Sequence, residues 1–354
     1  MRRRLITSTI SVAMLGGLAC DIPTDAPHLE QTWIVPVREL VIAVKELLPA
    51  SADTANGAIV VTPDPVVVGT TLGALCGAPC NSANGTTVPK PAFTGSITAS
   101  IALPDSVTEF TLNAPGVADI ILTNNLGFDP LRPAAAVTGR LITTVRSGGV
   151  VVGADTVTGT TAALPNGGTL TRRVTVPAGT VILAPVTSTS LIESPAGDPV
   201  LINTAATLSV NVQTNDVEAA RLNILIQAKR VATQVAQLDL SSIGQAIKDH
   251  IITAALQLEI NNPLPIQGTL QARFQAAGSD VITPRTFAVA PGISTLTLVF
   301  TRDEFLALTD LPDVNVAADG DVSGTGTPVT VTPATRISAR LRFGVRVRLG
   351  GPIE

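Results

Sequence analysis

A two-residue rhythm constrains this chain more than any other feature. From about residue 30 onward, short runs of Val, Ile, Leu and Thr alternate with breaks of Gly, Pro, Asn and Asp. Successive side chains of an extended segment point to opposite faces. Along Gly95–Leu103, Ile97, Ala99, Ile101 and Leu103 therefore share one face, and Ser96, Thr98 and Ser100 share the other. Ile59–Val61 and Thr169–Val176 are further runs of this kind, rich in the β-branched residues that suit a pleated, half-exposed surface. Turns are written out at Ser147-Gly148-Gly149, Pro165-Asn166-Gly167-Gly168 and Asp319-Gly320. Runs spaced by about 8–12 residues specify an all-β sandwich or barrel. The expectation is an all-β chain with two immunoglobulin-like β-sandwich domains and one or two short helices.

Helix signals are few. Ser241 or Ser242 can cap a segment from Ser242 to Ile251 in which Ile243, Ile247 and Ile251 recur every four residues, and Arg302–Leu308 is a second, shorter candidate. Val217–Leu238 carries both periods. The alternation of Leu222, Ile224, Ile226 and Ala228, with Lys229-Arg230 as a turn, favours a hairpin there.

Composition excludes several functional classes. Of 354 residues, 45% are hydrophobic and 14% charged, with a formal net charge of −4. Eight Phe, Trp33 and no Tyr leave no aromatic and basic platform, so nucleic acid is not an expected partner. Two His and three Cys argue against a haem or multi-metal protein, and no cofactor is expected.

Arg2-Arg3-Arg4 followed by the uncharged stretch Leu5–Ala19 has the form of a secretory signal peptide, too short to cross a membrane comfortably. Leu15-Gly16-Gly17-Leu18-Ala19-Cys20 resembles the lipobox of bacterial lipoproteins, although Gly17 stands where that family prefers Leu. The resemblance implies cleavage before Cys20 and acylation of that residue. Gly17-Leu18-Ala19 also reads as a small-x-small site for ordinary signal peptidase. The Pro-rich segment after Cys20 suits a spacer between membrane and domain, and Asp21 resembles an inner-membrane retention signal that is not general, so inner and outer membrane both stay open. With Cys20 consumed by lipid, Cys76 and Cys80 are left to form one local disulfide in a loop of an exported chain. A redox role is disfavoured, because Gly77 and Pro79 lie between them and the pair does not open a helix after a strand.

An internal repeat is visible. Asp119–Asn125 ends in Asn124-Asn125, and Leu256–Asn262 ends in Asn261-Asn262; each leads through Pro and Leu to a Gly-led strand, Gly139-Arg140-Leu141 or Gly268-Thr269-Leu270. Val176-Pro177-Ala178-Gly179 then matches Val289-Ala290-Pro291-Gly292, with a hairpin around Val150–Val157 counted as extra in the first copy. The resulting division is a signal peptide at 1–19, a lipidated tether at 20–31, and sandwiches at 32–194 and 195–354. Asn262-Pro263-Leu264-Pro265-Ile266, within Leu256–Phe274, resembles the late-embryogenesis-abundant, water-stress-type sandwich. That resemblance implies an immunoglobulin-like fold without a catalytic site.

No nucleophile elbow, phosphate loop or His-Glu-x-x-His motif occurs. His28 falls in the tether and His250 late in a short helix, so neither suits a catalytic triad. Asp310, Asp313, Asn315, Asp319 and Asp321 form the one oxygen-rich group. Asp313, Asp319 and Asp321 are its Ca²⁺ candidates, although Asp319-Gly320-Asp321 suits a turn better. Arg336, Arg340, Arg342, Arg346 and Arg348 all occupy even positions. On a strand they share one face, opposite Ile337, Leu341, Phe343, Val345, Val347 and Leu349, with Gly344 as the site of a bulge or bend. That stripe reads either as an ordinary solvated face or as a contact for anionic lipid headgroups or envelope polysaccharide.

The expected function is a lipid-anchored, non-catalytic binding or structural module of the bacterial cell envelope. Its partners would be the membrane, through the lipid, and an envelope protein, polysaccharide or anionic headgroup. A carrier of a lipid or other apolar ligand is the alternative, and an envelope hydrolase comes third.

Overall fold

The computed structural model describes residues 29–36, 39–240 and 243–349, so the signal peptide, Cys20 and His28 lie outside the described residues. The described chain opens with β1 (Leu29–Pro36) and β2 (Leu40–Ala43). A first series follows: β3 (Val66–Thr71), β4 (Phe93–Ile101), β5 (Gly116–Asn125), β6 (Arg140–Ser147), β7 (Val150–Thr158), β8 (Thr169–Val176), β9 (Val186–Ser194) and β10 (Thr207–Thr214). The second series is β11 (Lys229–Ala232), β12 (Ala236–Leu238), β13 (Ile251–Asn262), β14 (Ile266–Ala276), β15 (Arg285–Val289), β16 (Gly292–Phe300), β17 (Val314–Gly324) and β18 (Arg336–Leu349).

The all-β sandwich expectation holds, and the pairing is antiparallel throughout. One sandwich has sheets ordered β7-β6-β9-β4 and β8-β5-β10-β3. The other repeats that order with β15-β14-β17 flanked by β11 and β12, and β16-β13-β18 flanked by β1 and β2. Strand β9 shows why the sheets face each other: Val186, Ser188, Ser190, Ile192 and Ser194 are buried, and the residues between them are only partly so. A further sheet includes Ala58–Val61, which precedes the first series, Val107–Leu112 within it, Val217–Ile224, which follows it, and Val329–Val331 within the second, and one continuous apolar core runs through all of it.

The expected boundary at 194/195 is not where the sheets divide. Strand β10 pairs with β3 and β5, whereas β1 and β2 pair with β18, the last strand described. The first sandwich is therefore an insertion within the second. Composition could not show this, because both sandwiches are written in the same Val/Thr vocabulary.

The repeat is real in topology, but its alignment shifts by one residue. Asn124 is fully buried; its side-chain amide donates to the carbonyls of Phe128 (2.8 Å) and Leu164 (2.7 Å), and its carbonyl accepts from Leu126 N–H (2.9 Å). Asn262 does the same with Ile266 (2.8 Å), Ala290 (3.2 Å) and Leu264 (3.1 Å). Asn124 thus corresponds to Asn262, and the turn at Leu164-Pro165 to that at Ala290-Pro291. The hairpin strand β7 is not extra, since β15 occupies its place beside β14.

Other details also depart from expectation. Residues 217–238 are extended but form no hairpin: Val217–Ile224 joins the linking sheet, and β11 and β12 pair with β17. Asp319-Gly320-Asp321 lies inside β17 rather than in a turn. Gly320 is needed there because a Cβ would come within 2.2 Å of the Thr269 carbonyl on β14. Two further helical turns, α1 (Leu72–Cys76) and α2 (Ala78–Asn81), precede α3 (Gln245–Asp249) and α4 (Arg302–Thr309). Thr301 and Glu304 close a capping box on α4.

Candidate functional site

The arginine stripe is built as the alternation requires. Ile337, Leu341, Phe343, Val345 and Val347 are buried, and Arg336, Arg340, Arg342 and Arg346 are exposed, with Arg348 half-exposed. No shift in register occurs at Gly344, so the expected bulge is absent. The glycine instead leaves a bare patch on the face, with Ala255 O at 3.8 Å the nearest atom to the position of an added Cβ.

Register fills in the rest of this face. Arg342 lies opposite Gln257 and then Thr297; Arg340 lies opposite Glu259 and then Thr295. On the other side, Glu30 of β1 lies opposite Arg348 and ion-pairs with both Arg346 and Arg348. Hydrogen bonding to Arg346 chiefly, then charge and Arg348, holds the Glu30 carboxyl below its ordinary range. Glu259 sits 3.8 Å from Arg342. Among the described residues, neither Arg336 nor Arg340 has an ion-pair partner. Exposed Ile293 and Val299 lie on the outer strand β16, making the face basic and partly apolar.

The other predicted site residues are less suited to ligands. Cys76 and Cys80 are disulfide-bonded, with Cα atoms 5.6 Å apart. They sit in α1 and α2 rather than in a loop, and both are buried against the core, so the bridge does not lie at an exposed tip. Asp319 is held between the guanidiniums of Arg230 and Arg273, and Asp313 accepts from Gln237 at 2.8 Å. A carboxylate already bridging two cations is poorly placed to supply a Ca²⁺ site. Among the described residues, no group of three or more His, Cys, Asp or Glu is arranged to hold a metal ion.

Sequence reading missed Lys90, which is 1% exposed. Its ammonium donates to Pro91 O (2.9 Å) and Ser194 Oγ (2.8 Å) and stands 4.9 Å and 5.5 Å from the ring centroids of Phe93 and Phe128. Ser194 Oγ in turn donates to Pro130 O at 2.7 Å. The hydroxyl proton is thus committed away from the amine. This arrangement fits a clamp joining three segments, not a serine activated by a lysine base. The only local sequence signal was a lysine between two prolines, Pro89-Lys90-Pro91, close to Phe93.

Burial pulls the Lys90 amine from its ordinary 10.5 to about 8. Because the folded chain binds this proton more weakly than the unfolded chain, stability should rise between pH 8 and 10.5 and stay flat below that window. The gain is about 3 kcal/mol, lessened by the two aromatic faces, which favour the cation. Lys90→Met removes this titration. The stability difference, wild type minus variant, should therefore grow with pH in urea unfolding at pH 7 and pH 10. Parallel curves at the two pH values would refute the assignment.

Two hollows bear on the rival functions. An apolar one bounded by Leu103, Phe110, Leu112, Val145 and Val176 has a volume of about 60 Å³, against about 300–1,000 Å³ for small-molecule sites. A groove of about 620 Å³ with a mixed polar and apolar lining crosses the end of the β7-β6-β9-β4 sheet, lined by Ala92, Thr94, Arg140, Thr158, Glu193 and Pro195.

No protein-family model matches the chain, and no curated protein matches it. Among solved structures, a Parabacteroides distasonis protein of inferred secretion is 12% identical, with 91% of this chain and 100% of that one covered at a TM-score of 0.35. The CBM22-1-CBM22-2 tandem domain from Paenibacillus barcinonensis Xyn10C is 10% identical, with 84% and 100% covered at a TM-score of 0.18. Likenesses this distant carry no argument about what the chain binds or does.

Proposed function

We propose that this chain is an exported, lipid-anchored, non-catalytic module whose arginine face lies against anionic headgroups of the membrane that holds it. The supporting observation is the position of β1. A tether running from Cys20 meets β1 at Leu29, and β1 is the strand beside β18. Nine residues reach at most about 30 Å, so an acylated Cys20 keeps the arginine face close to the bilayer. Among the described residues, only Glu30 and Glu259 form ion pairs with the five guanidiniums, in a chain whose net charge is −4. The small volume of the apolar hollow weighs against a carrier, and the commitment of the Ser194 proton weighs against a Ser–Lys hydrolase.

Two measurements test the proposal. Intact mass of the membrane-extracted protein should show acyl chains on an N-terminal Cys20; an unacylated mature terminus sinks the anchor. Separately, the unlipidated Cys20→Ser chain should sediment with phosphatidylglycerol-containing vesicles and not with pure phosphatidylcholine. Each basic residue near such a surface contributes about 1 kcal/mol, so Arg336→Gln/Arg340→Gln/Arg342→Gln should weaken binding roughly 100-fold. High salt should act in the same direction. Equal binding to both vesicle types would remove the face from the proposal.

A further inference from the structure

The groove at the end of the β7-β6-β9-β4 sheet is separate from the arginine face, and the polar row across it points to a different ligand. Strand register sets Thr158, Arg140, Glu193 and Thr94 in one row across β7, β6, β9 and β4. At about 4.8 Å between strands the row is roughly 14 Å long. At its centre the Arg140 guanidinium and Glu193 carboxylate pair through two hydrogen bonds, Nε to Oε2 at 2.8 Å and Nη2 to Oε1 at 3.0 Å.

That pairing leaves the Nη1 hydrogens and one Nη2 hydrogen of Arg140 as free donors, and the outer lone pairs of Glu193 as free acceptors. Donors and acceptors then lie side by side, with the Thr94 hydroxyl on one flank and on the other the Thr158 hydroxyl, which already shares a hydrogen bond with Thr160. A pair of neighbouring hydroxyls, each able to give and accept one hydrogen bond, matches this pattern. The two charges cancel, so a ligand carrying its own charge would meet a like charge from one partner. Phe93, the aromatic residue of the lining, is buried, so stacking contributes little and affinity should be modest.

The segments beneath the groove are cross-linked by hydrogen bonds. The Lys90 clamp ties Pro91, Ser194 and, through Ser194 Oγ, Pro130 beneath it. At the rim, Gly159 lies so close to Leu131 that an added Cβ would come within 1.8 Å of its carbonyl oxygen. A site fixed in this way loses little freedom on binding.

We propose that this groove binds a neutral oligosaccharide, held through vicinal hydroxyls by the Arg140–Glu193 pair. The test is calorimetry on the Cys20→Ser full-length chain with cellotetraose, xylotetraose, mannotetraose, isomaltotetraose and chitotetraose, and with tetragalacturonate as the acidic counterpart. At least one neutral tetrasaccharide should bind at millimolar concentration or below. Arg140→Gln/Glu193→Gln should weaken it by about tenfold or more, with an unchanged melting temperature, because an exposed pair contributes little to stability. Thr94→Val should weaken the same sugar without touching the pair. Silence from every neutral sugar, binding of tetragalacturonate alone, or binding indifferent to the double substitution would each overturn the proposal.

Discussion

Replacing Asn124 by Leu should destabilise the fold by about 3–9 kcal/mol, whereas Asn125→Leu next to it should change little. Asn124 is fully buried and serves three backbone groups, Phe128 O, Leu164 O and Leu126 N. Leucine has the same branched shape with bulkier methyl ends, and it leaves all three groups unpaired in the core, at about 1–3 kcal/mol for each unsatisfied group. Asn125 is exposed at the end of β5. The same contrast should separate Asn262→Leu from Asn261→Leu at the end of β13, where the same three hydrogen bonds recur. Urea unfolding of the four variants decides the matter. If Asn124→Leu fell within about 1 kcal/mol of Asn125→Leu, a range typical of neutral surface changes, the side-chain lock would not be what closes this turn. A loss near the upper figure would consume much of a typical domain's stability of about 5–15 kcal/mol.

Phe343→Ala is expected to cost about 3–5 kcal/mol, the usual range for emptying a buried phenylalanine site. Phe343 is fully buried in β18 and packs at 5.6 Å from Phe300 on β16 and 5.7 Å from Phe305 on α4. Phe300 in turn meets Phe274 of the opposite sheet edge-on at 5.3 Å. A run of four rings, with Phe343 in its middle, therefore links both sheets of the second sandwich and the helix that packs onto it. Arg342→Ala, one residue away on the exposed face, should be nearly silent by the same measurement. Comparable losses from both substitutions would mean that β18 is not held by its buried face.

Much of this was legible in the chain because alternation is a local property. Ile97, Ala99 and Ile101 are buried and Ser96, Thr98 and Ser100 exposed, as their spacing required. The five arginines emerge on one face for the same reason. The Cys76–Cys80 bridge followed from counting cysteines. Errors arose where a local pattern had more than one use. Asp319-Gly320-Asp321 has turn composition, but Gly320 is there so that β14 and β17 can approach closely. Asn124-Asn125 and Asn261-Asn262 look interchangeable, and only burial tells which member of each pair serves the turn. Lys90 carried almost no signal, because its partners Phe128 and Ser194 are distant in sequence.

By itself, then, the sequence determined which side of each strand would be buried, since pleat geometry is set by the covalent backbone and holds wherever the strand is placed. Only the tertiary structure decided which strands meet. The pairing of β1 and β2 with β18 encloses the first sandwich within the second, and the row across β7, β6, β9 and β4 brings Arg140 to Glu193. Those choices depend on long-range matching of apolar faces. Many strands of this chain present nearly the same Val, Ile and Thr face, so partner and register are resolved only when the whole core closes.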